Sequence, residues 1–600
     1  MMSSTTTTTT TRSWTTWLLL AVVPFLALTL LSDEASAQAC ADDGTDSTIC
    51  GSNSAGANGT ESLVIGEAGT TANDVDNATA VGVGANVGAA GGTAVGHDAT
   101  ASGTASTALG DASEASADDT TALGESAIAN TDGATATGSG ATAQNIDATA
   151  TGSFADAQGD SSTATGAAAF ADGDFSTATG ATADAFGGDG TATGFFATAG
   201  DQGTATGASA DASGTESTST GWGAIADADN STATGALSEA NDDGATATGH
   251  SALADGANAT ASGAGSTADA EGTATGQGST AGVNATATGQ GATANADSTA
   301  IGRAVSTTAA GAVAVGTDAT TIVSGSGVGV GTGATASTGT ALGNGATAGA
   351  NTALGAGSSA LLTDSTAVGD TAAASEAGST ALGAGSVASG VNATAVGSGA
   401  QATGAGAIAI GGNPPIAAAV NSIALGSAST FTGNNTEVEA GAIGSVAIGA
   451  GAFVQSNAQN SVALGQDSVA NEANTVSIGQ PLNERRITNL ADGINDMDGV
   501  NVRQLNAVEN IIYEERDELR AGIAAAVSLV TLTPSAPGKT VINVGWGNYR
   551  SENAAGLTIA HRLKFWEEEV APGTSMMINA GAAIGSDNNP VFRAGASFEF

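Results

Sequence analysis

The sequence predicts a mostly β protein: a long parallel β-solenoid, a short helical segment, and four strands at the C-terminus. Three observations carry that expectation. A short phrase returns along the chain, as STALG at 106–110, STATG at 162–166, 176–180 and 231–235, SVAIG at 445–449 and SVALG at 461–465. Its closing glycines Gly138, Gly152, Gly166, Gly180 and Gly194 stand 14 residues apart, and a short fixed period means small units stacked on one another. Glycine supplies 89 of 600 residues and aromatic residues only 3%, so the repeats cannot fill a thick core and must pack as something thin.

Residues 1–37 read as an export signal. Arg12 precedes the apolar run from Trp17 to Leu31, and Ala35-Ser36-Ala37 offers a small-x-small cleavage site before Gln38. The run is short for a membrane-spanning helix. The only cysteines, Cys40 and Cys50, follow at once, and in the oxidising compartment that export implies they are expected to close a small disulfide loop.

One turn of the repeat, counted from Gly166 as position 0, places small residues at +3 (Ala169), +5 (Ala171), +10 (Ser176) and +12 (Ala178). Alternation of period two, broken by glycine-bearing turns, predicts two short strands per turn, with the small residues on one face of each. Stacked turns then make two parallel sheets back to back, closer together than sheets separated by large side chains. The outward positions of one strand, +4 and +6, hold Asp156 and Gln158, Phe170 and Asp172, Asp184 and Phe186, a polar and acidic face that meets water. The outward positions of the other, +11 and +13, hold Thr163 and Thr165, Thr177 and Thr179, Val313 and Val315, Val446 and Ile448. These are β-branched and uncharged, and from Thr135 to Thr288 they are mostly threonine. A stripe of this kind calls for a cover, and the same stripe on other copies in a closed cyclic oligomer is the simplest one.

The charge is −46, from 58 acidic and 12 basic residues, and no Lys or Arg stands between Arg12 and Arg303. Such a surface repels nucleic acid and anionic lipid. It suits concentrated salt, where screening shrinks to about 3 Å.

The SVAIG and SVALG phrases on this period resemble the YadA-like head of trimeric autotransporter adhesins. RRITNLADGINDMDGVNVRQLN at 485–506 resembles that family's neck. AGIAAAVSL at 521–529, PGKTVINVGWGNYRSENAAGLTIAHRL at 537–563 and the terminal Phe600 resemble its membrane anchor. The resemblance covers nearly the whole mature chain in the family's order. It implies a left-handed parallel β-roll head over 38–480 and a neck over 481–506, where Arg485, Asn489, Asn501, Gln504 and Leu505 match the motif. It further implies a short trimeric coiled-coil stalk and lumen helix over 507–536. The anchor over 537–600 would give four strands per chain to a twelve-stranded outer-membrane barrel, with Phe598 and Phe600 as its C-terminal signal. The implied partners are two further copies in a homotrimer, outer-membrane lipid, the barrel-assembly machinery and an unnamed surface or matrix ligand. The implied function is attachment to surfaces, extracellular matrix or other cells, with the head exposed at the cell surface.

The residues of the C-terminal sixth support an oligomer independently. A heptad seam runs through Leu505, Val508, Ile512 and Leu519, over about three heptads. Four alternating segments follow, at Thr540–Tyr549, Gly556–Phe565, Ser575–Ile584 and Val591–Phe600, with SENAAG and SDNNP as turns. Four strands do not close a barrel and lipid does not tolerate an open sheet edge, whereas three chains supply twelve.

Catalysis finds no support in the residues. The head offers only His97, His250 and Arg303 as imidazole or cationic groups, scattered along its length, and no nucleophile–base pair, metal cluster or phosphate loop, so no cofactor is expected. Asp-rich turns such as Asn241-Asp242-Asp243 read as solvated charge, with loose cation binding the alternative. Thr-x-Thr rows on a flat solenoid are also the pattern of an ice- or ordered-water-binding surface. Val, Leu and Ile at the same positions in flanking turns argue instead for an interface. Every aromatic ring between Gln38 and Thr430 lies in one segment: Phe154, Phe170, Phe175, Phe186, Phe195, Phe196 and Trp222. Two readings stand: rings that cap turn edges, or an apolar adhesive patch in which Phe170, Phe186, Phe195, Phe196 and Trp222 are the ligand-binding candidates.

Overall fold

The computed structural model describes residues 41–600 apart from 43–46, 51–54, 58, 68, 73, 322–324 and 565–573. The export signal expected at 1–37 and Cys40 lie outside the described residues; Cys50 is disulfide-bonded. The chain forms two compact units that divide between Leu482 and Asn483.

The first unit is a parallel β-roll. Each turn carries one three-residue strand and one two-residue strand, and each strand pairs in parallel with its equivalent in the next turn. Thr163, Ala164 and Thr165 lie beside Thr177, Ala178 and Thr179, which lie beside Thr191, Ala192 and Thr193. In the second sheet, Asp156 lies beside Phe170 and Phe170 beside Asp184. The three-residue sheet runs from Thr48–Cys50 to Val476–Ser477, with Ala41–Asp42 added antiparallel at its start. The two-residue sheet runs from Ala55–Ala57 to Val469–Ala470.

The core is alanine. Ala169, Ala171 and Ala178 are fully buried, as is Ser176, and the same four positions are buried turn after turn. The serine and threonine at +10 have a reason beyond size. Ser106, Thr120 and Ser231 each donate to the carbonyl three residues earlier, at 2.7, 2.7 and 2.6 Å, which satisfies these buried hydroxyls within their own turns, whereas the hydroxyls of Ser162, Ser176 and Ser217 at the same position find no partner within the chain. The position-0 glycines sit at the first bend, where successive turns touch backbone to backbone. Gly180 has φ +137°, and a Cβ there would stand 2.4 Å from the carbonyl oxygen of Gly194.

The second unit begins with an irregular segment and continues as one helix, Val502–Ser528, and a four-stranded antiparallel sheet. The helix starts five residues before the expected stalk boundary at 507, because Asn501 caps it. The Asn501 side chain accepts from the Gln504 amide while the Gln504 side chain accepts from the Asn501 amide, closing a capping box. The strands are Thr540–Tyr549, Glu552–Arg562, Ser575–Gly585 and Pro590–Glu599. The second begins four residues earlier than expected, so SENAAG is not a six-residue turn. Arg550 and Ser551 both take left-handed φ, +51° and +76°, and a two-residue hairpin turn suffices. Phe565, the expected end of that strand, lies outside the described residues.

Candidate interaction surfaces

The roll presents four surfaces: the outer faces of its two sheets and the two lines of bends between them. On the three-residue sheet, Thr163, Thr165, Thr177, Thr179, Val313, Val315, Val446 and Ile448 all point outward, partly or fully exposed, flanking buried alanines. Leu123 pairs with Thr137, and Thr288 with Ile301, so the threonine row and the aliphatic rows are one continuous face. Its aliphatic members stay accessible in a single chain: Leu109 is 39% exposed, Ile301 40%, Leu382 38% and Leu464 44%.

The two lines of bends differ in charge. The bend after each three-residue strand, such as Gly166-Ala167-Ala168, carries no acid from Gly138 to Ala304. Every acid between Glu125 and Arg303 instead rides on the two-residue sheet or on the opposite bend, such as Gly173-Asp174-Phe175. Acids of this second bend, in these turns and in the one before them, tie one turn to the next. Asp118 accepts from the Thr104 amide at 2.6 Å, Asp174 from Asp160 at 2.9 Å, Asp201 from Gly188 at 3.0 Å and Asp229 from Thr215 at 3.0 Å. This ladder was missed in the sequence; the recurrence of Asp just past a Gly or Ala in the second bend is its only signal. In the Asn241-Asp242-Asp243 turn the groups likewise bind protein, Asn241 to Asp255 at 3.1 Å and the Asp243 amide to Asp242 at 2.8 Å. No group of three His, Cys, Asp or Glu able to hold a metal stands together among the described residues.

The aromatic candidates separate onto three surfaces. Phe195, Phe196 and Trp222 lie on the neutral bends with Phe154, Phe170 and Phe186 on the two-residue sheet, and Phe175 on the acidic bends. All seven are exposed, from 42% at Phe170 to 67% at Phe154. Phe195 and Phe196 meet edge to face with centroids 4.2 Å apart. The Phe186 ring lies over Gly200 of the next turn, and the Phe154 ring over Gly140 of the previous one. Phe170 sits between Asp156 and Asp184 in the sheet. Partial burial raises the pKa of both carboxyls above the ordinary carboxylate value, and the nearby Asp172 charge adds to it.

In the second unit, the neck residues form a clasp. Gln504 exchanges two hydrogen bonds with the backbone of Gly493, both 2.9 Å. Asn501 donates to the Leu490 carbonyl at 3.0 Å and to Asp492 at 2.7 Å. Arg503 adds an ion pair to Asp492 at 2.6 Å; with the Asn501 contact it holds that carboxyl below its usual range. Arg485 and Asn489 lie in the irregular segment before the clasp, Asn489 with φ +61°. Asp492 and Arg503 were not picked from the sequence, where nothing ties an acid in the loop to a base on the helix. Leu505, Val508, Ile512 and Leu519 form an exposed apolar line along the helix, between 52% and 66% accessible.

Ala521, Ala524, Ala525 and Ser528 bury the other side of the helix against the sheet. Gly545, Gly547 and Gly556 let it approach: a Cβ on Gly547 would stand 2.1 Å from the Ala524 carbonyl oxygen. Beyond the helix, the Val530 carbonyl accepts from Asn543 at 2.8 Å and Thr558 at 2.7 Å, and the Leu529 carbonyl from Arg593 at 3.1 Å. The opposite face of the sheet is apolar and open, with Ile542, Val544, Trp546, Leu557 and Phe592 from 53% to 76% exposed. Phe598 and Phe600 stack at 6.4 Å at its end. No helix among the described residues is long and apolar enough to cross a membrane.

Comparison with known proteins agrees across all three regions. The YadA head domain repeat matches nine segments between residues 88 and 480. The coiled stalk of trimeric autotransporter adhesin matches 486–527, and the YadA-like membrane anchor domain 532–600. Autotransporter adhesin NhhA of Neisseria meningitidis is 38% identical over 81 residues, which is 13% of this chain and 13% of that relative's length. The collagen-binding domain of the Yersinia adhesin YadA aligns over 43% of this chain and 87% of its own, at 22% identity and a TM-score of 0.13. With head repeats, stalk and anchor each matched in the same order, the chain belongs to the YadA-like trimeric autotransporter adhesins.

Proposed function

We propose that the protein is a homotrimeric adhesin of the outer membrane, whose three heads meet along the uncharged face of the three-residue sheet. The observation that carries this reading is that face itself: Leu, Ile, Val and Thr in unbroken register, accessible in one chain and free of charge beside a strongly acidic outer face. In this reading the head is a left-handed roll over 38–480, joined by the neck at 481–506 and the stalk at 507–536 to the anchor at 537–600. The anchor sheets of three copies close a twelve-stranded barrel around their helices, with the open apolar face toward lipid. Phe598 and Phe600 address the barrel-assembly machinery, and export follows the signal at 1–37.

Ice binding is disfavoured because the threonine row continues into exposed leucine and isoleucine, which fits a buried seam better than a water-ordering plane. Adhesion falls to the outward surfaces, where Phe170, Phe186, Phe195, Phe196 and Trp222 are the apolar groups that stand out from an acidic background. The test replaces Phe170, Phe186 and Trp222 together with serine and measures attachment of displaying cells to matrix proteins, mineral surfaces and one another at equal display. Reduced attachment is expected; undiminished attachment removes these rings from the site.

A further inference from the structure

The repeat is broken by an insertion near the C-terminal end of the roll. Ile416 pairs with Glu437, a step of 21 residues instead of 14, and the surplus forms a loop between Gly426 and Thr436, on the bends that follow the three-residue strands. The loop is anchored on both sides. The Ala428 amide donates to the Asn413 carbonyl of the turn below at 3.0 Å. Ser429 and Thr432 donate to the two carboxylate oxygens of Asp467 at 3.0 and 2.6 Å. Ser429 also accepts from the amides of Phe431 and Thr432, both at 3.2 Å. Asp467 is only 3% exposed, so a buried carboxylate holds the loop through hydroxyls. Phe431, carried on that anchored backbone, is 86% exposed, more than any other aromatic of the roll.

The opposite bends at this level carry Ile443, 47% exposed, stacked on Val420, 42% exposed, through the Gly444 amide and the Val420 carbonyl at 3.0 Å. The chain leading through Val420 and Phe431 is uncharged: no Asp, Glu, Lys or Arg stands between Glu376 and Glu437, in a chain with 58 acids. One edge of the roll thus offers an anchored ring at the end of its longest uncharged stretch, and the other an aliphatic patch of Val420 and Ile443, with Glu437 and Glu439 earlier in the turn of Ile443. Cyclic symmetry about the three-residue sheet brings the bends after the three-residue strands of one copy beside the opposite bends of the next, at equal height. The loop also continues the seam, since Leu425, 41% exposed on that face, directly precedes it. We infer that Phe431 of one copy docks on Ile443 and Val420 of the next, closing a ring of three clasps around the lower head. An anchored aromatic entering an aliphatic patch loses little conformational freedom on docking. The inference rests on the homotrimeric reading.

The test is oxidative crosslinking of the full chain displayed in the outer membrane. Phe431→Cys combined with Ile443→Cys should link chains covalently, up to three, on a fully denaturing gel, while either substitution alone should not. Val446→Cys, on the seam, serves as the independent reporter of the trimer and should give linked pairs. Linked pairs from Val446→Cys with an unlinked Phe431→Cys/Ile443→Cys protein would overturn the clasp and leave the trimer standing. No linkage from either would overturn both. If the first double variant is not displayed, Phe431→Cys with Val420→Cys reads the same contact.

Discussion

Gly180→Ala tests the stacking of the roll at its tightest point. Two costs add at this position. An alanine must adopt φ +137°, and strain of that kind costs about 1–3 kcal/mol. Its Cβ would also stand 2.4 Å from the Gly194 carbonyl oxygen and 2.6 Å from the carbonyl carbon, contacts with backbone that no rotamer relieves. Forcing a close-packed site apart adds about 1–3 kcal/mol, so the sum is about 2–6 kcal/mol. Gly188→Ala is the matched control. It lies in the following bend, and its nearest contact would be the Asp174 carbonyl oxygen at 3.9 Å, so a change within about 0.5 kcal/mol is expected. Thermal unfolding of the detergent-purified full chain, with limited proteolysis to map the first cuts, separates the two. Gly180→Ala should unfold earlier and open first near residues 180–194, because damage in a stacked array falls on neighbouring turns. A tolerated Gly180→Ala, or a Gly188→Ala variant equally damaged, would refute the stacking argument.

Leu505→Asp with Ile512→Asp puts two carboxylates per chain on the exposed apolar line of the helix, and should lower the fraction of chain that runs as an SDS-resistant oligomer on a gel. Changing Thr163, Thr165, Thr177 and Thr179 to valine should leave the oligomer intact and raise its melting temperature. Valine keeps the volume and removes hydroxyls that need partners in a seam. The pH dependence should have opposite signs at Asp492 and at Asp156. The carboxyl of Asp492 has a depressed pKa, so its stabilising contribution is present above its ordinary value near 3.8 and is lost as pH falls through the lower folded value. Asp156 has a raised pKa, so at neutral pH its charge opposes folding, and stability is regained as pH falls through the raised value toward 3.8. Hydrogen exchange across pH should therefore show the neck clasp loosening only in strong acid, and Asp156→Asn should protect residues 156–184 at neutral pH.

The fold was legible because its core uses one rule. Two small residues per strand at fixed spacing specify both sheets, and Ala169, Ala171, Ser176 and Ala178 are buried as the period requires. The division of the bends into a neutral and an acidic line was not read, although every residue of it is in the sequence. It emerges only when position within the turn is tied to an edge of the roll. Local capping chemistry moved boundaries: Asn501 starts the helix before 507, and left-handed Arg550 and Ser551 shorten a turn that composition alone makes long. The candidate rings are close in number, yet a 14-residue turn carries neighbours in sequence to different surfaces, so their shared segment does not decide between turn-edge caps and an adhesive patch. Phe431 was passed over because its loop interrupts the period, and its anchor, Asp467, lies two turns away.

The central claim is that three copies share one seam and one barrel. Light scattering of the purified full-length protein in detergent, corrected for bound detergent, measures the number of chains directly. The account predicts three times the mass of one mature chain, unchanged on dilution. A particle of one chain with a complete barrel of its own would contradict it.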